Sequence, residues 1–379
     1  MYYIIYLIIL VGALQEAVSH KRNKALFKFA YTALFLLAVF RYGQGQDYFN
    51  YEGVYHEVTV YTKQSLLGIF LIDDVGYALL NYIAISLNFS YELFMAIITT
   101  LSMAMFYSFL RNSCNYSMVG LLIFYSVIYM IYPLSITRQG LCMSFFLCFM
   151  YPLLQRQQTK KFYLLTLLIS TIHASSLIFL LFPTIYKLKA SNMTLLKIFM
   201  LSIIFLFFSM NLMSYIPIAF IQDRMKTYLF EASSNLILAK IVRLVLVLPL
   251  LILPPILFKD TLTNKNRLLF YFGFFIYSVL SFSELASSRL WGYFLGIECI
   301  IISNLSLSKI KSKLKVLTVY FYIFLSVVLW IKDIDAAIKQ GKYKNCTALT
   351  YPYVSILEGD NTINYYRKDK GHAYIETRK

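Results

Sequence analysis

The sequence predicts an all-α polytopic membrane protein with roughly ten to twelve transmembrane helices of about 20 residues each. Three observations carry that prediction. Of the 379 residues, 59% are hydrophobic and only 14% are charged, against about 25% charged in soluble domains. The apolar residues are gathered into runs long enough to cross much of a bilayer, and mean hydropathy is +0.65. The basic residues fall in short clusters between those runs, the pattern that orients membrane proteins. The formal net charge of +17 is therefore a topology signal, and no nucleic-acid partner is expected.

The apolar runs, in order, are 2–19, 25–40, 90–110, 117–134, 138–155, 193–210, 236–258, 268–286, 290–307 and 315–331. The first has no basic n-region and no small-residue cleavage site, so it reads as a retained span rather than a signal peptide. HKRNK (20–24), QRQQTKK (155–161), KDTLTNKNR (259–267) and SKIKSKLK (308–315) mark the cytoplasmic side. That places the N-terminus, segments 41–89 and 211–235, and the tail 332–379 outside. Within the first outer segment, DDVGYALLNYIAISLNF (73–89) reads as a short amphipathic helix on the surface.

The stretch KFYLLTLLISTIHASSLIFLLFPTIYKLK (161–189) has basic residues at both ends. If both ends are cytoplasmic, about 27 residues must enter and return, too few for two full spans at about 1.5 Å rise per residue. Two short helices meeting near His173 are expected, as a broken or re-entrant pair. Such backbone is tolerated where it is buried in protein or lines a watery cavity. The alternative is one tilted span here with a turn elsewhere. No repeat and no low-complexity linker divides the chain, so residues 1–379 read as a single transmembrane domain.

This topology sorts the acidic residues. Of 18 Asp and Glu, only Asp260 falls in a predicted cytoplasmic loop; the outer face is where polar chemistry concentrates. The five cysteines show no CxxC and no metal-ligand spacing with histidine, so neither a disulfide framework nor a zinc site is indicated. Asp73 and Asp74 form a lone acidic pair, no metal cluster stands out, and no cofactor is expected.

Charged groups at the ends of spans are costly and point to function. Arg41 closes the second apolar run, and Arg138 opens the fifth beside Gln139. Arg289 lies between two runs with Tyr293 four residues on, and Arg224 belongs to the outer loop. Each alone reads as an interfacial snorkel or an anionic-lipid contact. Several on one face suit a pyrophosphate, because guanidinium forks match phosphate oxygens two at a time. At a membrane surface the natural pyrophosphate ligand is a polyprenyl carrier. Transfer from such a carrier needs a base for the incoming hydroxyl. His173 sits at the proposed helix break and titrates in the useful range when unperturbed; it reads equally as a hydrogen-bonded structural histidine. Asp47, in RYGQGQDYFNYEGVY (41–55), is either a rival base or a turn-stabilising residue. Tyr42, Tyr48, Phe49, Tyr51 and Tyr55 offer flat faces suited to pyranose rings, although tyrosine is also the ordinary interfacial residue.

Three pieces of the sequence resemble the EpsG-like branch of Wzy-type O-antigen and polysaccharide polymerases: RYGQGQDYFNY after a span, ITRQGLCMSFF through STIHASSLIFLLFP in the middle, and YPYVSIL in the tail. The most specific features are R-x-G-x-x-x-D-Y at Arg41–Tyr48 and R-Q-G…I-H-x-S-x-L from Arg138 through His173 to Leu177. The resemblance implies a GT-C-like, inverting, metal-independent glycosyltransferase of the bacterial inner membrane. It would move a growing glycan from undecaprenyl pyrophosphate to a lipid-linked repeat unit at the periplasmic or outer face. Arg41, Asp47, Arg138, Gln139, His173 and Arg289 match family positions. On that basis Arg138 and Arg289 would hold the donor pyrophosphate, His173 or Asp47 would be the base, and Arg41 could contact either lipid phosphate. Whether a chain-length-regulating co-polymerase is a further partner stays open. The alternatives are a lipid-linked oligosaccharide flippase, for which inverted repeats would be expected, another lipid-dependent glycosyltransferase, and a non-catalytic assembly partner.

Overall fold

The computed structural model describes residues 1–45, 47–64, 68, 74–213, 240–241, 243–245, 247–248, 261–305, 313–340 and 353–357. Arg224, Asp73, most of segment 211–235, most of the 236–258 run and most of the tail lie outside the described residues. Those described are helices and loops with no strand beyond one isolated backbone bridge, and the protein is an all-α polytopic membrane protein. Among the described residues, three helices are long and apolar enough to cross a membrane: Tyr2–Ser19, Tyr91–Ser113 and Val316–Ile338. Shorter apolar helices, such as Ser117–Tyr129 and Asn192–Phe208, accompany them.

The residues form two compact units, 1–177 with 320–379, and 178–319. The first unit opens with α1 (Tyr2–Ser19) and α2 (Lys24–Val39). On α1 the buried positions Tyr2, Tyr6, Ile9, Ala13 and Glu16 recur every three or four residues, the stripe of a helix with one packed face. Its other face leaves Ile4, Val11 and Val18 more than half exposed, as suits a wall against lipid. His20 in the left-handed region ends α1, and Asn23 starts α2 by accepting a hydrogen bond from the Leu26 N–H at 3.0 Å. The Glu16 carboxylate, fully buried, accepts the Asn23 N–H at 3.0 Å and the Met118 N–H at 2.8 Å. One side chain thus fixes the corner between α1 and α2 to the start of a later helix.

After a loop come α3 (Tyr48–Gln64), α4 (Val75–Ser86) and α5 (Tyr91–Ser113). The Ser90 hydroxyl caps α5, whose first turn holds Glu92 and last turn Arg111, both favourable to the helix dipole. Next, α6 (Ser117–Phe124) is buried on every side and runs into a π-turn at Tyr125–Tyr129. In turn α7 (Thr137–Phe145), a second π-turn (Phe146–Met150) and α8 (Tyr151–Gln155) follow without a break. Gly140 lets this helix start against backbone: a Cβ there would meet the Tyr132 carbonyl oxygen at 2.7 Å. α9 (Thr159–Ser170) is followed by a turn at 171–173 and a 3-10 helix, Ala174–Leu181.

The second unit contains α10 (Phe182–Lys187), α11 (Asn192–Met213), α12 (Thr261–Val279) and α13 (Glu284–Leu305). It packs through aromatic rings, among them Phe199 on Phe274 at 6.1 Å and Phe270 on Trp291 at 5.0 Å. Against the predicted runs 268–286 and 290–307, α12 and α13 each start earlier, because polar residues such as Asn266 and Arg267 are buried within the helix instead of capping it. Last, α14 (Lys313–Gln340) outlasts its apolar run at residue 331. Ile334 and Ile338 continue its buried stripe through charged neighbours, so the start of the predicted outer tail is helical.

Glu16 generates a stability prediction. Glu16→Ala leaves the buried Met118 N–H without its acceptor, at about 1–3 kcal/mol, and the part-buried Asn23 N–H without its own, at a smaller cost. A detergent-solubilised variant should melt well below the wild type, with Glu16→Gln between them; equal melting temperatures would show that the corner is held otherwise.

Candidate functional site

One carboxylate gathers three separate segments of the first unit. Asp74 precedes α4 and sits in the left-handed region at φ 61°, ψ 63°, a conformation aspartate tolerates better than most residues. Its Oδ2 accepts from Arg138 Nη1 at 2.7 Å, at the start of α7, and faces His173 Nδ1 at 3.3 Å, in the turn after α9. Its Oδ1 accepts the Ala174 N–H at 3.1 Å. The three side chains are largely buried, with 12% of Asp74, 12% of His173 and 24% of Arg138 exposed.

The local backbone makes this meeting possible at Gly76. The Gly76 N–H donates to the Thr171 carbonyl at 2.8 Å. A Cβ on Gly76 would lie 2.3 Å from Thr171 Oγ1 and 2.8 Å from its carbonyl carbon, so only glycine lets α4 press onto the histidine turn.

The electrostatics follow from the partners. Burial pushes the Asp74 carboxyl up, but the hydrogen bond from His173, the Arg138 and His173 charges and the Ala174 N–H outweigh it and hold it below its ordinary value. An ionised carboxylate only accepts hydrogen bonds. Nδ1 of His173 is therefore the protonated nitrogen, and the lone pair of a neutral ring lies on Nε2. Nε2 is buried and has no hydrogen-bond partner among the described residues. A histidine oriented by a carboxylate with its other nitrogen unengaged is a proton acceptor in waiting.

Arg138 is held in an aromatic cage. Its guanidinium carbon lies 5.1 Å from the Tyr51 ring centre and 5.4 Å from that of Tyr77, within cation–π range. Arg41 is the second cation of this end of the unit and is 3% exposed. Its Nη1 donates to the Ala38 carbonyl at 2.6 Å and to Thr99 Oγ1 at 2.9 Å, whereas Nε and Nη2 have no hydrogen-bond partner among the described residues. Tyr48 shares its surroundings, with a buried hydroxyl also lacking a partner and within electrostatic reach of Arg41. Both cations act on Tyr77. Residues 353–357 border Arg41: Tyr42 N–H donates to Val354 O and Ile356 N–H to Phe40 O, each at 2.9 Å.

The sequence-predicted residues fall as follows. Arg41, Asp47, Tyr48, Arg138, Gln139 and His173 lie in the first unit. His173 and Arg138 meet directly on Asp74; Gln139 is fully buried. Asp47 sits just before α3, its carbonyl accepting the Tyr51 N–H at 2.9 Å and its Oδ1 accepting from the Asn50 side-chain Nδ2 at 3.2 Å. It also acts electrostatically on Tyr51, one wall of the Arg138 cage. Tyr48, Phe49, Tyr51 and Tyr55 are 2–6% exposed and pack with Tyr77, Tyr91 and Phe94 in one buried cluster. They form a core that frames the cations, not an open platform for sugar rings: Tyr48, Tyr51 and Tyr55 find aromatic partners on α4 or α5, and Phe49 packs on Tyr42 and Tyr48. Arg289 and Tyr293 lie on α13 of the second unit; Tyr293 is fully buried with its ring 4.8 Å from Phe179. Arg224 is outside the described residues.

Sequence reasoning missed Asp74. It was visible as an acid directly before a helix start with Gly76 two residues on, but its pairing partners lie 64 and 99 positions away.

Asp74 has a pH consequence. Its folded value is below its ordinary 3.8, so the stability it contributes is fully present above the unfolded value and disappears as pH falls through the folded one. In detergent melts between about pH 3 and pH 7, the wild type should lose stability steeply below about pH 4. Asp74→Asn should be less stable at neutral pH and flatter on the acid side; parallel curves would remove the carboxylate from the linkage.

A family model described as the EpsG family matches residues 24–355, most of the chain and all of this site. No curated protein and no solved structure matches.

Proposed function

The chain belongs to the EpsG family, and from that membership we propose that it is a polysaccharide polymerase, transferring a growing glycan from a polyprenyl pyrophosphate carrier to a sugar hydroxyl on a lipid-linked repeat unit. The observation that carries the reading is the Asp74–His173–Arg138 arrangement, which supplies an oriented base and a cation in direct succession.

In the proposed step His173 Nε2 takes the proton of the acceptor hydroxyl as that oxygen bonds to the anomeric carbon of the donor sugar. The bond from that carbon to the pyrophosphate oxygen breaks with inversion, and the polyprenyl pyrophosphate leaves with the electron pair. Asp74 keeps the imidazole in the tautomer that accepts at Nε2 and stabilises the imidazolium that forms, a positioning role. Arg138 and Arg41 stabilise the charge growing on the leaving group. A buried guanidinium without a carboxylate partner is expensive, and Arg41, two of whose nitrogens are unengaged among the described residues, suits an anionic ligand. Asp47 would orient the acceptor, and Gln139 would support the start of α7. Arg289, with Tyr293 and Arg224, enters on residue type and on the resemblance alone. Segment 41–89 and the site it carries face the outside in this reading.

The test is reconstitution in detergent with lipid-linked repeat units and EDTA, scored for ladders of lengthened glycan. The wild type should build ladders, and His173→Ala should be slower by about 10²–10⁴-fold while still binding donor. Asp74→Asn should fall similarly with little change in binding. Ladders from folded His173→Ala at the wild-type rate would move the base to Asp47; no ladder from folded wild type would favour a flippase or an assembly partner. Arg138→Lys keeps the charge but loses the planar fork, and should cripple chain growth; so should Arg289→Lys. Wild-type rates in either would take that arginine out of the site.

A further inference from the structure

The first unit carries a second polar feature, at the opposite ends of α2 and α5 from Arg41 and Tyr91. Given about 1.5 Å per residue, Lys24 and Val39 stand about 22 Å apart along α2, and Tyr91 and Arg111 about 30 Å apart along α5. At the far ends is a cavity of about 420 Å³ whose lining includes Arg22, Lys24, Lys28 and Arg111 and, among the described residues, no carboxylate. Its size is that of a small-ligand pocket.

The cavity is built, not merely a scatter of surface charge. The Arg22 guanidinium is locked across its wall: Nη2 donates to the Arg111 carbonyl at 2.6 Å and the Cys114 carbonyl at 3.0 Å, and Nε to Ser117 Oγ at 3.3 Å. Phe27, 4% exposed, stacks on Tyr107 with ring centres 5.6 Å apart and gives the cavity a flat apolar side. Lys24, Lys28 and Arg111 are exposed, so their ammonium and guanidinium ends are available at the mouth.

One of these cations is placed against the local field. Lys24 and Lys28 occupy the start of α2, whose first turn has no acidic residue. A helix N-terminus presents unpaired N–H groups and a partial positive charge that favours anions and disfavours cations. Arg111, at the C-terminal end of α5, is favoured by its own helix dipole; Lys24, in the first turn of α2, is disfavoured by its own. An anion in the cavity would relieve all four cations and the helix end together. The same helices expose apolar side chains further along, Phe29 and Leu36 on α2 and Leu101 on α5. A phosphate beside hydrocarbon-facing helices is the chemistry of a lipid headgroup.

We propose that the Arg22–Lys24–Lys28–Arg111 cavity binds the phosphate of an anionic phospholipid headgroup. The site is independent of the transfer reaction proposed above. The lipid would clamp α2 to α5 at the end remote from Asp74.

The experiment is a native mass-spectrometric titration of the full chain in detergent with phosphatidylglycerol, phosphatidylcholine and, separately, inorganic phosphate. The wild type should bind phosphatidylglycerol in preference to phosphatidylcholine. Lys24→Gln/Lys28→Gln/Arg111→Gln removes three surface charges and should weaken that binding by on the order of a hundredfold, each basic residue near a lipid surface contributing roughly tenfold or less. Arg22 is left intact because it ties two carbonyls. If the triple variant does not fold, Lys24→Gln/Lys28→Gln is read the same way, with a smaller loss. Equal affinity in wild type and variant, or no preference between the lipids, overturns the proposal. Binding of inorganic phosphate alone that displaces phosphatidylglycerol at similar concentration keeps the phosphate site but overturns its assignment to a lipid.

Discussion

The Asp74 carboxylate is the interaction on which the polar end of the first unit depends. Without it, Arg138 would sit as a buried cation between two tyrosine rings, and His173 would have no group to fix its tautomer. With it, the beginnings of α4 and α7 and the turn after α9 share one point. The geometry that allows this is costly in two places. Asp74 occupies a left-handed backbone conformation, and the α4 start presses on Thr171 so closely that no side chain fits at residue 76. Strain of this kind persists where surrounding structure over-determines it and is common at functional sites. The charge balance points the same way: one ionised carboxylate answers a guanidinium, and the imidazole beside them keeps one nitrogen unengaged.

The tyrosines pack around the site as core, not as surface. A stretch such as YFNYEGVY looks like a ligand-facing aromatic run when read alone, because tyrosine pairs a flat apolar face with a polar tip. In the fold its rings are inner members of a cluster with Tyr77, Tyr91 and Phe94. The tyrosines supply what the cations need among apolar side chains: electron-rich rings around Arg138 and phenolic groups near Arg41. Arginine can be held this way without a carboxylate for every charge. The cluster therefore serves as the dielectric lining of the site.

Much of the fold was legible in the sequence, and the reason is the lipid solvent. A span needs a long apolar run, and the basic clusters between runs punctuate it, so Tyr2–Ser19, Tyr91–Ser113 and Asn192–Met213 fall within a few residues of their predicted positions. Ends were harder where buried polar residues extend a helix, as Asn266 and Arg267 do in α12, or where a stripe outlasts its apolar run, as Ile334 and Ile338 do in α14. Of the site, Arg138 and His173 stood out because charge and imidazole are conspicuous next to apolar runs. Asp74 did not, since acids on an aqueous loop are unremarkable one at a time. Its importance is a property of distance in space, and no local pattern encodes a contact made across 99 positions of chain.

The same logic joins the two ends of the chain. RYGQGQ and YPYVSIL are separated by about three hundred residues, yet Arg41 and Ser355 form a backbone bridge, flanked by hydrogen bonds from Tyr42 to Val354 and from Ile356 to Phe40. Tyr353 completes the junction with its ring against Tyr2, whose hydroxyl donates to Gln44 at 2.6 Å. A segment that pairs with backbone immediately around a buried arginine fixes where that arginine can point. Arg41 leaves α2 through a loop, and loops alone hold a side chain less precisely than helices or strands do. The tail supplies the missing constraint. Residues of the first and last motifs thus meet as neighbours within the first unit, and the backbone bridge between them ties residues 353–357 to the end of α2.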